Sequence, residues 1–157
     1  MLRIVEFSDA LASAFHDINA EWITSMFVME EVDRHVLQNP RKTIIDPGGA
    51  VLFVELEGQG VVGTGALRWS KPGQLELTKM GVKSGLRGLK AGEFLLDALI
   101  ERSIAMKPER LYLLTSKRCE AAIHLYEKFG FKHDAELLEA ARHHYDRCDV
   151  AMTYRGN

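Results

Sequence analysis

The sequence predicts an α/β (α+β) domain spanning residues 1–157, with a single mixed, mostly antiparallel sheet of about seven strands flanked by helices. Three observations predict it. Length and composition come first: 157 residues, 46% apolar and 27% charged, suit one domain with a sizeable core and exclude disorder, collagen-like repetition and a disulfide scaffold. In the middle of the chain, the turn signals DPGG (46–49), EGQG (57–60) and SKPG (70–73) separate strand-like runs. Finally, the strand–helix–strand order over residues 74–115 requires one parallel pair, because the helix carries the chain back to its starting edge.

The elements follow in order. LRIVEF (2–7) alternates apolar and charged residues and reads as a first strand. Residues 9–38 are helical in pattern and close at Asn39-Pro40, since a residue before proline is pushed out of the α region. VLFVEL (51–56) and VVGTGALRW (61–69) form a predicted hairpin, and QLELTKMGVK (74–83) a third strand. A helix begins at Leu89, places Leu96, Leu99, Ile100 and Ile104 on one face, and breaks at Lys107-Pro108. RLYLLT (110–115) is a short apolar strand. Ser116 is the expected N-cap of a helix running to Phe129 and stopped by Gly130. Strands are expected near 131–137 and 148–154, with RHHYDR (142–147) as the hairpin tip between them.

Charge is unevenly placed. The net of −2 makes no case for nucleic acid, yet residues 1–60 carry 4 basic and 10 acidic side chains while residues 61–92 carry 6 and 1. No run approaches the ~18–20 apolar residues of a membrane span, and MLRIVEFSDA lacks an apolar signal core, so a soluble cytoplasmic protein without membrane partners is expected. Cys119 and Cys148 read as two reduced thiols. His133, His143, His144 and Cys148 follow no zinc spacing, so no metal is expected.

Two segments carry chemistry. VKSGLRGLKAGEFLL (82–96) runs from a strand into a helix through a glycine-containing turn, and a helix start offers unpaired N–H groups and positive partial charge to a phosphate. Lys83, Arg87 and Lys90 add cations there. No GK[ST] and no G-x-G-x-x-G occurs, which excludes a P-loop and a dinucleotide fingerprint. The second segment is SKRCEAAIHLYEKFGFKH (116–133).

Together the two segments resemble the GNAT superfamily of N-acetyltransferases, and the strand order fits that family along nearly the whole chain. The resemblance implies an acyl-CoA N-acyltransferase fold with acetyl-CoA as cosubstrate. Arg87, Gly88, Leu89, Lys90, Ala91 and Gly92 lie across the family's pyrophosphate loop, Arg/Gln-x-x-Gly-x-Gly/Ala. Lys90 replaces the first loop glycine, which a side chain tolerates where φ stays negative. Ala122, Leu125, Tyr126, Gly130 and Phe131 match the family's later helix.

The resemblance also implies roles. Glu76 would be the general base, on a strand where period two puts it on one face with Thr78, Met80 and Val82; a β-bulge would flip that assignment. Its apolar neighbours would raise its pKa; the competing reading is a solvent-facing glutamate. A backbone N–H near Met80, Gly81 or Val82 would donate to the oxyanion. Tyr126 would stabilise the departing thiolate, or else is a core tyrosine. Ser116 stands where relatives place an asparagine, and either touches the pantetheine arm or caps its helix.

Trp22, Ile23, Met26, Phe27 and Val28 read as helix core from their pattern, while the resemblance implies that the first two helices and their loop wall the acceptor site. The implied reaction moves an acetyl group directly to a primary amine of a small molecule or peptide, within a ternary complex. The acidic residues of the first 60 favour a cationic acceptor. Homodimers are common in the family. A non-catalytic acyl-CoA sensor is the alternative function.

Overall fold

A computed structural model gives the fold and describes residues 1–86, 90–141 and 147–156. The sheet has seven strands: β1 (Leu2–Glu6), β2 (Ala50–Leu56), β3 (Gly60–Lys71), β4 (Gln74–Val82), β5 (Arg110–Thr115), β6 (Phe131–His133) and β7 (Val150–Tyr154). Their order is β1-β2-β3-β4-β5-β7-β6. Among the described residues only β4 and β5 pair in parallel, as the connection through helix α3 (Ala91–Met106) requires.

Helices cover both faces. On one, α1 (Ala12–Met26) and α2 (Glu31–Gln38) bury Phe15, Ile23, Val36 and Leu37 against Val51, Phe53 and Ala66. On the other, Leu95, Leu96 and Leu99 of α3 and Tyr126 of α4 (Glu120–Lys128) meet Leu52, Leu67, Leu75 and Leu77. Adjacent strand residues such as Val51 and Leu52 therefore enter opposite cores, and these strands read as continuous apolar runs. No helix among the described residues is long and apolar enough to cross a membrane.

Three expectations need correction. The helical stretch 9–38 is divided: a 3₁₀ turn (Asp9–Leu11), α1, a four-residue link, then α2. A capping box starts α2, with the Glu30 N–H donating to Asp33 Oδ2 at 3.1 Å and the Glu30 side chain returning to the first turn. Ser116 does not cap α4. Its Oγ accepts the Arg118 N–H at 3.2 Å in a preceding turn, and Cys119 is the N-cap residue.

The strand expected over 131–137 stops at His133, and Ala135–Ala141 forms helix α5. Asp134 explains the change, because its Oδ1 accepts the Leu137 N–H at 3.0 Å and caps a run of strong helix formers, AELLEAA. Residues 142–146 of the expected hairpin tip lie outside the described residues.

Candidate active site

The site begins where two parallel strands part. β4 and β5 pair only through Gln74–Glu76 and Arg110–Tyr112. Beyond that, β4 continues to Val82 along β3 and β5 to Thr115 along β7. A β-bulge accompanies the parting: Lys79 and Met80 together oppose a single residue of β3, Gly65, and Lys79 adopts φ +52°. The opening between the strands is a cleft lined by Thr78, Lys79, Met80, Leu113, Thr115, Ser116, Cys119 and Tyr126, with Trp22, Phe27, Arg147 and Cys148 from surrounding elements.

The bulge reverses the expected face assignment. Met80 packs against the α3 core and Val82 lies within it, on the side of Leu75 and Leu77. Lys79 instead reaches Asp33 of α2, and a Cβ at Gly81 would lie 2.3 Å from Trp22 of α1. Glu76 therefore shares a face with Lys79 and Gly81, not with Met80 and Val82. The Lys83 N–H donates to Val62 O on β3 at 2.8 Å, so strand alternation turns the Val82 and Met80 N–H groups towards the cleft.

Glu76 is not solvent-facing. It is 2% exposed and lies beneath the cleft wall, with Arg68 Nη1 3.9 Å from its Oε1. Burial raises its carboxyl above the ordinary glutamate value, outweighing the attraction of Lys79 and Arg68. Burial likewise pushes the neighbouring Cys148 thiol up to about 12, against the pull of Arg147. That thiol stays protonated at neutral pH.

Tyr126 stands on the opposite wall. Its ring packs edge-on against Phe131 at 5.8 Å, and burial, with a smaller contribution from Cys119, pushes its phenol well above the usual tyrosine value. Its hydroxyl makes no hydrogen bond with another described residue, although its ring belongs to the core. Tyr126 is thus both a core tyrosine and a free donor at the cleft. Buried Ser116 lines the same wall at the end of β5.

The loop residues Arg87, Gly88 and Leu89 lie outside the described residues. Lys90 does not keep the negative φ expected of a side chain there: it adopts φ +62° as the N-cap residue of α3. A left-handed conformation costs a non-glycine residue about 1–2 kcal/mol. Lys90→Gly is therefore expected to raise the unfolding free energy by about 0.5–1 kcal/mol after the extra chain entropy of glycine, measurable by urea denaturation. A lower stability would show that the lysine side chain compensates. Ala91 is buried, whereas a Cβ at Gly92 would meet Leu125 only at an ordinary 3.7 Å. Packing against that helix does not require glycine at 92.

A buried charge cluster borders the cleft, and sequence reading missed it. Asp33 is fully buried; its Oδ1 accepts from Lys79 Nζ at 2.8 Å, and Arg147 grips both of its oxygens at 2.7 and 2.8 Å. Arg147 also reaches Glu30 at 3.0 Å. Burial by itself would raise the Asp33 carboxyl, but the Arg147 hydrogen bonds and the Lys79 charge overcome it and hold the pKa at about 2. The spacing of Glu30 and Asp33 is a readable capping signal. Partners 46 and 114 residues away are not.

Other acidic residues of the first 60 also have partners: Glu6 with Arg102, Asp9 with Arg41, Glu31 with Arg34 and Glu55 with Arg3. Three of these four pairs use arginines of the same segment, and Glu6 draws on Arg102 of α3. Of the expected acceptor wall, Trp22 and Phe27 line the cleft, Ile23 is buried core, and Val28 is 82% exposed.

Comparison with known proteins supports this architecture. The model of the Acetyltransferase (GNAT) family matches residues 12–131. YjgM of Escherichia coli strain K12, an uncharacterised N-acetyltransferase, is 36% identical over 108 residues, covering 68% of this chain and 64% of that protein. A GNAT-family acetyltransferase of Staphylococcus aureus Mu50 superposes with a TM-score of 0.86 at 22% identity, over 98% of each chain. The structure of yncA from Salmonella typhimurium, solved with its cofactor acetyl-CoA, superposes with a TM-score of 0.69 at 21% identity, over 86% of this chain and 82% of that one. The seven-stranded sheet with its single parallel pair, the cleft at that pair and the family match over most of its length agree: the chain belongs to the GNAT family of acetyltransferases.

Proposed function

We propose that this protein transfers an acetyl group from acetyl-CoA to a primary amine by direct attack in a ternary complex. The parting of β4 from β5 carries this reading. It leaves facing strand edges at 78–82 and 113–115 whose backbone groups can pair with the amides of an extended pantetheine arm. The start of α3, just beyond β4, supplies unpaired N–H groups for the pyrophosphate, with Ala91 and Gly92 offering little steric bulk. These features fit acetyl-CoA.

Bound there, acetyl-CoA supplies a thioester carbonyl and a thiolate leaving group. An amine of pKa near 10 is protonated at pH 7 and must lose a proton before attack. Glu76, with its raised pKa, is the base; being beneath the wall, it receives the proton through an intervening water. The Met80 or Val82 N–H donates to the developing oxyanion. On the far wall the Tyr126 hydroxyl donates a hydrogen bond to the departing sulfur, and its raised pKa keeps the proton in place for that role. Ser116 borders the pantetheine arm.

The test is free-thiol release from acetyl-CoA with a panel of amines, including amino acids, peptides, polyamines and amino sugars. Tyr126→Phe is expected to lower kcat roughly 10–100-fold, the worth of about 1.5–3 kcal/mol in one charge-assisted hydrogen bond, while the fold stays intact. Unchanged turnover in that variant removes the role from Tyr126. Thermal stabilisation by acetyl-CoA without turnover of any amine would instead favour a non-catalytic sensor.

A further inference from the structure

Beside the cleft, against its lining residue Phe27, lies a guanidinium that the proposed acetyl transfer does not use. Arg118, in the link between β5 and α4, is exposed, and its Cζ lies 4.9 Å from the centroid of the Phe27 ring. Phe27 follows α1 and lines the cleft, so this contact spans from one side of the opening to the other. Arg147 approaches the same ring, with Cζ at 5.6 Å.

The two arginines differ in their partners. Arg147 is held by Asp33 and Glu30. Lys79 of the same cluster is held by Asp33. No carboxylate among the described residues lies within ion-pairing distance of Arg118. A guanidinium stacked on an aromatic ring uses its face and leaves its in-plane N–H fork open, which matches a carboxylate in bidentate geometry.

Resting on the acetyltransferase reading, we propose that the acceptor carries a carboxylate beside its amine, as an amino acid or short peptide does, and that Arg118 over Phe27 reads that carboxylate. Phe27 ends α1 on one side of the opening and Arg118 precedes α4 on the other, so the contact bridges the two sides, and the KM for acetyl-CoA separates an acceptor carboxylate from the cosubstrate's phosphates. Acceptor preference is therefore set by an unpaired cation, opposite to what the acidic excess of the first 60 residues suggests.

The experiment compares free amino acids and dipeptides with their C-terminal carboxamides as acceptors, following thiol release from acetyl-CoA. The expected wild-type result is a kcat/KM at least about 10-fold higher for the acids, the worth of one charge-assisted contact. Arg118→Gln is expected to bring each pair level by lowering the acid's value, without moving the KM for acetyl-CoA, and Arg118→Lys to retain part of the preference. Equal turnover of acids and carboxamides, or turnover confined to polyamines and amino sugars, overturns the carboxylate assignment and leaves the acetyltransferase reading standing. A raised KM for acetyl-CoA in Arg118→Gln also overturns it, by placing the arginine on the cosubstrate. No turnover of any amine overturns both.

Discussion

Asp33→Ala is expected to destabilise the protein by about 3–5 kcal/mol, the usual cost of removing one partner from a buried ion pair. Asp33 is fully buried and accepts the Lys79 ammonium and the Arg147 guanidinium, and it receives the Glu30 N–H that starts α2. The Lys79 side chain is itself only 3% exposed, so the variant strands a cation away from water. Urea unfolding measures the loss, and a value below about 1 kcal/mol would show that water enters and solvates Lys79. The double variant Asp33→Ala with Lys79→Met should recover part of the stability, because the buried ammonium goes with its carboxylate while Arg147 keeps Glu30.

The pH dependence has a definite sign. The Asp33 pKa is held at about 2, below its ordinary 3.8, so its contribution is present above pH ~4 and is lost as pH falls towards 2. The gap in stability between wild type and Asp33→Ala should therefore narrow over that interval. A gap that stays constant from pH 6 to pH 2 would contradict the assignment.

Glu76→Gln is expected to produce the opposite pairing of effects: turnover falls about 10²–10⁴-fold, the range for loss of a general base, while stability near neutrality does not fall. The folded-state pKa of Glu76 is raised by burial. The carboxyl therefore favours folding while it is protonated, and that benefit is lost as pH rises from the ordinary glutamate value through the raised one. Relative to wild type, the Gln variant should gain stability across this rise, as the buried wild-type carboxyl ionises. Wild-type activity should follow the same ionisation upward. A variant with full turnover would make Glu76 a structural residue only.

Much of the fold was legible because its elements are local. The DPGG, EGQG and SKPG turns delimit β2, β3 and β4, and the spacing of Leu96, Leu99 and Ile100 marks the buried face of α3. Two boundaries failed where a side chain competed for the backbone. Asp134 drew the chain into α5 where a strand was expected, and Ser116 formed a turn three residues before the N-cap of α4. Both are side chain-to-backbone hydrogen bonds whose choice depends on neighbouring geometry.

The site was legible in part. Glu76, Tyr126 and Ser116 all stand at or beneath one cleft. The face on which Glu76 lies was not readable from period two, because the bulge at Lys79 and Met80 shifts the alternation by one residue. Lys79 adopts its left-handed conformation in a strand whose local sequence carries no signal for it.

The sequence by itself determined the succession of strands along the chain, the parallel pair and the family, since these rest on hydrophobic period, turn chemistry and a short motif. The place of β7 between β5 and β6 came from the tertiary structure. Only the tertiary structure decided the electrostatics of the cleft. Lys79 and Arg147 lie 46 and 114 residues beyond Asp33 along the chain and meet it because α2, β4 and the segment before β7 converge. Charge pairing depends on distances of a few ångströms and on exclusion of water, and neither quantity is written in the order of residues.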